Sequence, residues 1–313
     1  MFYRLKKTLP ARRLRRIQRK AFELPQLLTP RADGVTVLSM LCARDVEMFA
    51  VALASFARHC TVSRVCILND GSLEARHRQA LDKRIPAIEW LNIEDYRHNR
   101  LPRGGCWERL HAQVELARHS YVVQLDADTL TLSALDEVEA AHRSNKPFIL
   151  GTEKGRAIGA AREAAQWAQR QMEAGVTHVQ MLAESALTRM DEDGNLRYVR
   201  GCAGFSGLPP GRVSLESLYA WSERFQQALG DRWSEWGTEQ FMVNFLIANL
   251  ESAEVLPYAR YPTCPERVGP EHAFVHFAGY CRYRDGAYRD LSRSLINQLK
   301  AEWAGDPPLE EGV

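Results

Sequence analysis

The stretch YVVQLDADTLTL, Tyr121–Leu132, sets two carboxylates, Asp126 and Asp128, directly after a run of apolar residues. Its opening YVVQL is β-branched and apolar at consecutive positions, the pattern of a short strand buried in a sheet. CWERLHAQVELARH, Cys106–His119, precedes it with the spacing of an amphipathic helix, so the two aspartates fall at the carboxyl end of a strand that follows a helix. In open α/β sheets that edge is where ligands bind. Carboxylates one residue apart on an extended segment point to the same side and repel each other. A hard divalent cation with oxygen ligands removes the repulsion and can hold the phosphates of a nucleotide at the same time. The plain structural alternative is that Asp126 and Asp128 end the strand and cap the following segment LSALDEVEAAH.

Outward from this stretch the same alternation repeats. VTVLSML (Val35–Leu41) reads as a strand buried on both faces. DVEMFAVALASFARH follows as a helix whose start Asp45 is placed to cap. RVCIL (Arg64–Leu68) is a second strand, and NDGS is a turn with Ser72 positioned to cap the helix LEARHRQALDKR. AIEWLNI is a third strand. Strands alternating with helices predict an α/β fold with a mostly parallel sheet flanked by helices, joined by right-handed crossovers. No period of 20 to 50 residues repeats, which excludes solenoids. The expected organisation is a basic N-terminal segment over 1–30, one large domain over 31–290, and a C-terminal helix and tail over 291–313.

Hydrophobic residues at 45% and charged residues at 26% of the 313 fit a globular protein with a large core. The seven cysteines are scattered and lack a C-x-x-C pair, which argues against zinc or a disulfide framework and favours a reducing compartment. No apolar run approaches a membrane span, and no signal-peptide apolar core stands at the N-terminus. The expected location is cytoplasmic. The net charge of +2 hides an asymmetry: residues 1–25 hold nine basic side chains and one acid, while the remainder is net −6. Phe2, Leu5, Leu9, Leu14, Ile17, Phe22 and Leu24 intersperse those charges. Residues 1–25 therefore read either as a solvated terminus or as an amphipathic anchor on an anionic membrane inner face. Nucleic acid is not an expected partner, since the tract has little aromatic interleaving and the body is acidic.

Four motifs between Leu38 and Arg284 resemble the GT-A fold glycosyltransferases, most closely the family-8-like retaining enzymes that use nucleotide sugars. YVVQLDADTLTL resembles the family's D-x-D signature. CWERL sets Arg109 at the position of a Lys/Arg near the donor diphosphate. WGTEQFMVNFL is similar to an Asp-Gln-x-x-x-Asn helix start beside the transferred sugar, with Glu239 in place of the Asp and Gln240 matching. FVHFAGYCRYR resembles a His-Phe-x-Gly-x-x-Lys ending, with His276 as third metal ligand, Gly279 matching, and Arg282 where a phosphate-binding Lys is usual. Weaker similarity marks Asp45 and Asp70 as donor-binding and GCAGFSGL as an acceptor-side strand.

The resemblance implies transfer of a sugar from a nucleoside diphosphate, with a UDP-sugar expected, to the hydroxyl of a carbohydrate or lipid-linked glycan, with retention. It implies Mn²⁺ (or Mg²⁺) on Asp126, Asp128 and His276, fixed positive charge from Arg109 and Arg282, and Gln240 and Glu239 as catalytic residues. Each match has a structural alternative: His276 as a core histidine, Arg109 as a solvent-facing helix residue, Gln240 and Asn244 paired along one helix face, Trp233 and Trp236 as core rather than sugar-stacking aromatics. The rival classes are a sugar nucleotidyltransferase and a non-catalytic nucleotide- or carbohydrate-binding protein. The first wants a Gly-rich loop after the first strand, and LSMLCARDVE has no glycine. A glycoside hydrolase fits poorly, because carboxylates this close in sequence rarely supply distinct acid and nucleophile environments.

Overall fold

The computed structural model describes residues 2–86 and 88–305, with side chains from Leu9 onward. The side chains of Phe2, Arg4, Leu5, Lys6 and Lys7 in the basic segment, Ala87 of the third expected strand, and residues 306–313 of the tail lie outside the described residues. Helix α1 (Phe2–Gln18) opens the chain, followed by β1 (Val35–Leu41), α2 (Val46–His59), β2 (Val62–Asn69), α3 (Ala75–Asp82) and β3 (Ile88–Asn92). Next come α4 (Trp107–Leu116), β4 (Val122–Leu125), β5 (Thr129–Thr131), α5 (Asp136–Arg143) and β6 (Phe148–Leu150). The middle of the chain holds β7 (Gly159–Ala160), α6 (Ala161–Glu173), α7 (Val179–Met190), β8 (Arg197–Tyr198), β9 (Cys202–Leu208) and α8 (Leu215–Leu229). The last elements are α9 (Thr238–Ala248), β10 (Glu254–Val255), β11 (Phe274–His276) and α10 (Ala287–Ala304). Packing divides the chain into two compact units that interleave in sequence. The first gathers residues up to Trp90, Leu125–Leu135 and those from Ala259 on; the second holds Leu91–Gln124 and Asp136–Tyr258.

In the first unit the strand order is β1–β2–β3, with β1 parallel to β2 and Val37 opposite Val65. The apolar run of β1 is buried on both faces, as its lack of alternation requires. β2 starts two residues before the RVCIL run, because its register against β1 places Val62 opposite Val35. α2 buries Phe49 and Phe56 completely, each contributing roughly 1.5–3 kcal/mol. α1 packs on α10 and α2 through Leu14 and Gln18, with Ala21 and Leu24 buried just beyond it. Part of the apolar set that suggested a membrane anchor is thus used inside the fold, while Leu9 remains exposed. Among the described residues no helix is long and apolar enough to cross a membrane.

Three local expectations are corrected. Asp45 stands at the N-cap of α2 but makes no capping bond; its carboxylate accepts from the Cys42 thiol at 2.9 Å. Ser72 does not cap α3 either. Its hydroxyl donates to Asp70 and accepts from the Ala43 N–H, tying the end of β2 to the end of β1, while Glu74 and His77 cap α3 reciprocally. Third, Cys264 and Cys281 are joined as a disulfide, with Cα atoms 5.7 Å apart, against the expectation of no disulfide. The pairing arises because the Thr263–Cys264 segment lies along His276, the last residue of β11, while Cys281 sits in the turn just after it.

In the second unit the strand order is β10–β6–β9–β4, with β6 parallel to β10 and antiparallel to β9; β7 and β8 form a separate antiparallel pair. Phe225, Trp233, Phe241 and Phe245 form one aromatic cluster with centroids about 5–6 Å apart, so Trp233 is core. Trp236, 74% exposed, is not.

Candidate functional site

The chain leaves β4 at Leu125 and turns over Asp126–Asp128 before β5 begins. The two aspartates therefore sit in a turn, where the period-two rule for an extended strand does not apply. The Thr129 hydroxyl donates to the Asp126 carbonyl at 2.8 Å and holds the turn closed. β11 pairs antiparallel to β5 with His276 opposite Thr129, and the Phe277 N–H donates to the Asp128 carbonyl at 2.8 Å. This register brings a residue 148 positions away against the turn. His276 Nε2 lies 3.1 Å from Asp128 Oδ1 and 3.7 Å from Asp126 Oδ2. One ligand atom from each of Asp126, Asp128 and His276 falls within 4.8 Å of the others.

Arg282 completes the cluster. After β11 the chain enters a short 3-10 turn, Gly279–Arg282, where Gly279 takes φ +60°, a conformation L side chains rarely adopt. The turn delivers the Arg282 guanidinium to Asp128 Oδ2, with Nε at 2.7 Å and Nη2 at 2.6 Å. Burial by itself would raise the Asp128 carboxyl, but His276 and then Arg282 outweigh it and hold it at about 2. Asp128 is almost fully enclosed, whereas the Asp126 side chain keeps 28% of its exposure, leaving the cluster one open side. Burial raises the phenol of Tyr288, which stacks on Phe277 at 4.3 Å and donates to the Ala127 carbonyl.

The donor set fits a hard divalent cation. Two carboxylates from the turn after β4 and an imidazole from β11 converge on one point and could hold a divalent metal ion. Of the other expected first-unit residues, Asp45 lines a cavity that Arg282 also lines. Asp70 is engaged by Ser72 in its own turn.

The remaining expected residues belong to the second unit and form their own constellation. α4 and α9 start side by side, tied by Trp107 Nε1 donating to Thr238 Oγ1 at 3.0 Å and by Arg109 Nη2 bonding Glu239 Oε1 at 2.9 Å. Both partners of that ion pair are buried, with side chains 9% and 5% exposed. α9 begins at Gly237 with φ +108°, which puts Glu239 and Gln240 in its first turn. Asn244 does not pair with Gln240; its amide donates to the Gly201 carbonyl at 3.0 Å. Sequence reasoning missed the Arg109–Glu239 pairing and the arginines of α1 that line the Arg282 cavity. The second had a signal, since Leu14, Gln18 and Ala21 make an i, i+4, i+7 stripe.

No family model and no curated protein match the chain in sequence. Solved structures do. A galactosyltransferase, LgtC, in complex with donor and acceptor sugar analogs superposes with a TM-score of 0.50 at 13% identity, covering 87% of this chain and 99% of that one. An active-site mutant of LgtC superposes with a TM-score of 0.51 at 13% identity, over the same shares of both chains. The fold is therefore the GT-A fold, as the motifs implied.

Proposed function

We propose that the chain is a metal-dependent glycosyltransferase that moves a sugar from a nucleoside-diphosphate sugar, a UDP-sugar in the expected case, to the hydroxyl of a carbohydrate or lipid-linked glycan with retention. The observation that carries this reading is the convergence of Asp126, Asp128 and His276 on one point at the end of β4. These three residues would hold Mn²⁺ or Mg²⁺, which supplies Lewis-acid neutralisation of a departing diphosphate. Arg282 adds a fixed positive charge beside Asp128, so the leaving group meets electrostatics arranged before it arrives. The disulfide and the Gly279 turn fix the segment that carries Arg282. We assign Gln240 to the transferred sugar, as the resemblance implies; Glu239, bound to Arg109, holds the start of α9 that presents it. A galactosyltransferase of this fold holding both donor and acceptor sugar analogs supports the reading. A lipid-linked acceptor would bring the protein to a membrane surface, and vesicle binding tests that finer point.

The deciding experiment is a thermal-shift series with UDP and UDP-sugars, each with and without Mn²⁺. Ligand at a hundred times its dissociation constant stabilises by about 2.7 kcal/mol, so the melting temperature should rise only when nucleotide and metal are both present. Asp128→Asn should abolish the rise, read from that variant's own lower baseline because it breaks a buried pair with Arg282, while His276→Ala should weaken it less. No shift with any nucleotide, or an equal shift in Asp128→Asn, refutes the assignment.

A further inference from the structure

Two cavities of the first unit meet at Arg282. The larger, of about 430 Å³, takes Arg12 and Arg15 from α1, Arg44 and Glu47 from the start of α2, and Arg282. Its neighbour, of about 230 Å³, is lined by Arg13, Arg282, Arg284, Asp285 and Arg289. Leu14 belongs to both and forms the ridge between them. Leu14 and Gln18, one turn apart, are buried where α1 packs on α10, so the helix backbone that carries Arg12 and Arg13 is anchored and not that of a frayed tail. Most of these guanidinium groups are already matched: Arg15 to Glu47, Arg44 to Asp45, Arg282 to Asp128, Arg289 to Asp290. Among the described residues no carboxylate lies within ion-pair distance of Arg12 or Arg13. Two uncompensated guanidinium groups thus border cavities whose common wall is the arginine bound to the metal-ligating Asp128.

We infer that α1 is a wall of the donor-binding cavity and that Arg12 and Arg13 bind the phosphates of a nucleoside diphosphate. The inference rests on the glycosyltransferase reading. Arg282 bonds Asp128 of the Asp126–Asp128–His276 cluster and also lines both cavities, one bordered by Arg12 and the other by Arg13, so a diphosphate held at the cluster and Arg282 would have these two guanidinium groups within the same basic surface. Guanidinium is the group suited to this, being permanently charged and able to bind phosphate oxygens in pairs. The positive charge of the N-terminal segment is then directed at a soluble substrate and not at a membrane.

Calorimetric titration of UDP in saturating Mn²⁺ tests this with Arg12→Ala, Arg13→Ala and, as a charge-matched control, Arg16→Ala. Arg16 is exposed on the same helix and lines neither cavity. All three replace exposed residues, so folding should survive. The expected result is about tenfold weaker UDP binding in each of the first two, the factor a loss of about 1.4 kcal/mol gives, with the control unchanged. Wild-type affinity in Arg12→Ala and Arg13→Ala overturns the inference and leaves the glycosyltransferase reading standing. Equal weakening in all three also overturns it, as a long-range charge effect. A wild type that binds no nucleoside diphosphate removes both readings. Sedimentation with phosphatidylserine vesicles separates the membrane alternative: loss of vesicle binding in Arg12→Ala and Arg13→Ala with UDP affinity intact assigns these arginines to a lipid surface and overturns the inference.

Discussion

Removing either partner of the Arg109–Glu239 pair should be among the most damaging single changes in the second unit. The two side chains are 9% and 5% exposed and bonded at 2.9 Å, so neither charge has water to fall back on. At an effective dielectric near 20 and charge centres about 4 Å apart, the attraction is about 4 kcal/mol. Breaking a buried pair from one side typically costs about 3–5 kcal/mol, because the survivor loses a charged partner where water does not replace it. Glu239→Ala and Arg109→Ala should each lose that much in urea unfolding followed by circular dichroism. Glu239→Asp keeps the charge but retracts the carboxylate by one methylene; it should cost about 1.5–3 kcal/mol, the worth of a charged hydrogen bond. The double change Arg109→Met with Glu239→Leu removes both charges and should recover most of the loss, since hydrophobic replacement of a whole buried pair is often neutral or stabilising. A cycle of Arg109→Met, Glu239→Leu and their combination should then show a coupling energy well above the few tenths expected of independent sites. If the single changes cost under about 1 kcal/mol, the pair behaves like a surface ion pair and the reasoning from burial fails. If the double variant is no better than the worse single one, the loss comes from packing and not from the broken ion pair.

Two further predictions concern the cysteines. Burial, and then Glu89, push the Cys66 thiol up to about 12, above its usual 9. The stability this gives is fully present below about pH 9 and is lost as pH rises toward 12, because the unfolded chain ionises first; the slope is at most about 1.4 kcal/mol per pH unit. Iodoacetamide should therefore leave Cys66 unmodified in the folded protein at pH 9.5 and alkylate it in denaturant, as peptide mass spectrometry would show. For the Cys264–Cys281 disulfide, which closes a separation of 17 residues, replacing Cys281 with Ser should lower the unfolding free energy by about 3 kcal/mol. Alkylation in denaturant without reductant should count the five free thiols, against seven after reduction; seven in both refutes the bond.

Where a segment's own residues settle its environment, the sequence was readable. β1 is an apolar, β-branched run with no alternation, and it forms over the expected Val35–Leu41. β7 and β8, two residues each, carry no periodicity and exist only because neighbouring backbone pairs with them. In α1 composition dominates first impressions. Nine basic residues in 25 suggest a solvated tail or a membrane anchor, while the four buried positions from Leu14 to Leu24 form a stripe too narrow to stand out against the charge. The caps failed for a related reason. Asp45 and Ser72 had the right chemistry at the right positions, but each had a competing partner from a distant segment or a neighbouring turn, and a single capping bond is worth only about 1 kcal/mol.

The same distinction runs through the candidate site. Asp126, Asp128, His276 and Arg282 were named from motif resemblance, and the structure brings those four together. Strand geometry alone predicts two parallel carboxylates on an extended edge, whereas a turn swings Asp128 inward against His276 and Arg282 and leaves Asp126 partly open. That asymmetry could not be read from spacing, because it depends on the β5–β11 register, which joins residues nearly 150 positions apart. Nor could the partner of Glu239. A glutamate where the motif it resembles has aspartate reads as a displaced carboxylate, yet its extra methylene reaches Arg109 at 2.9 Å. The glutamate side chain reaches a buried guanidinium one helix away, and shortening it to aspartate should cost stability.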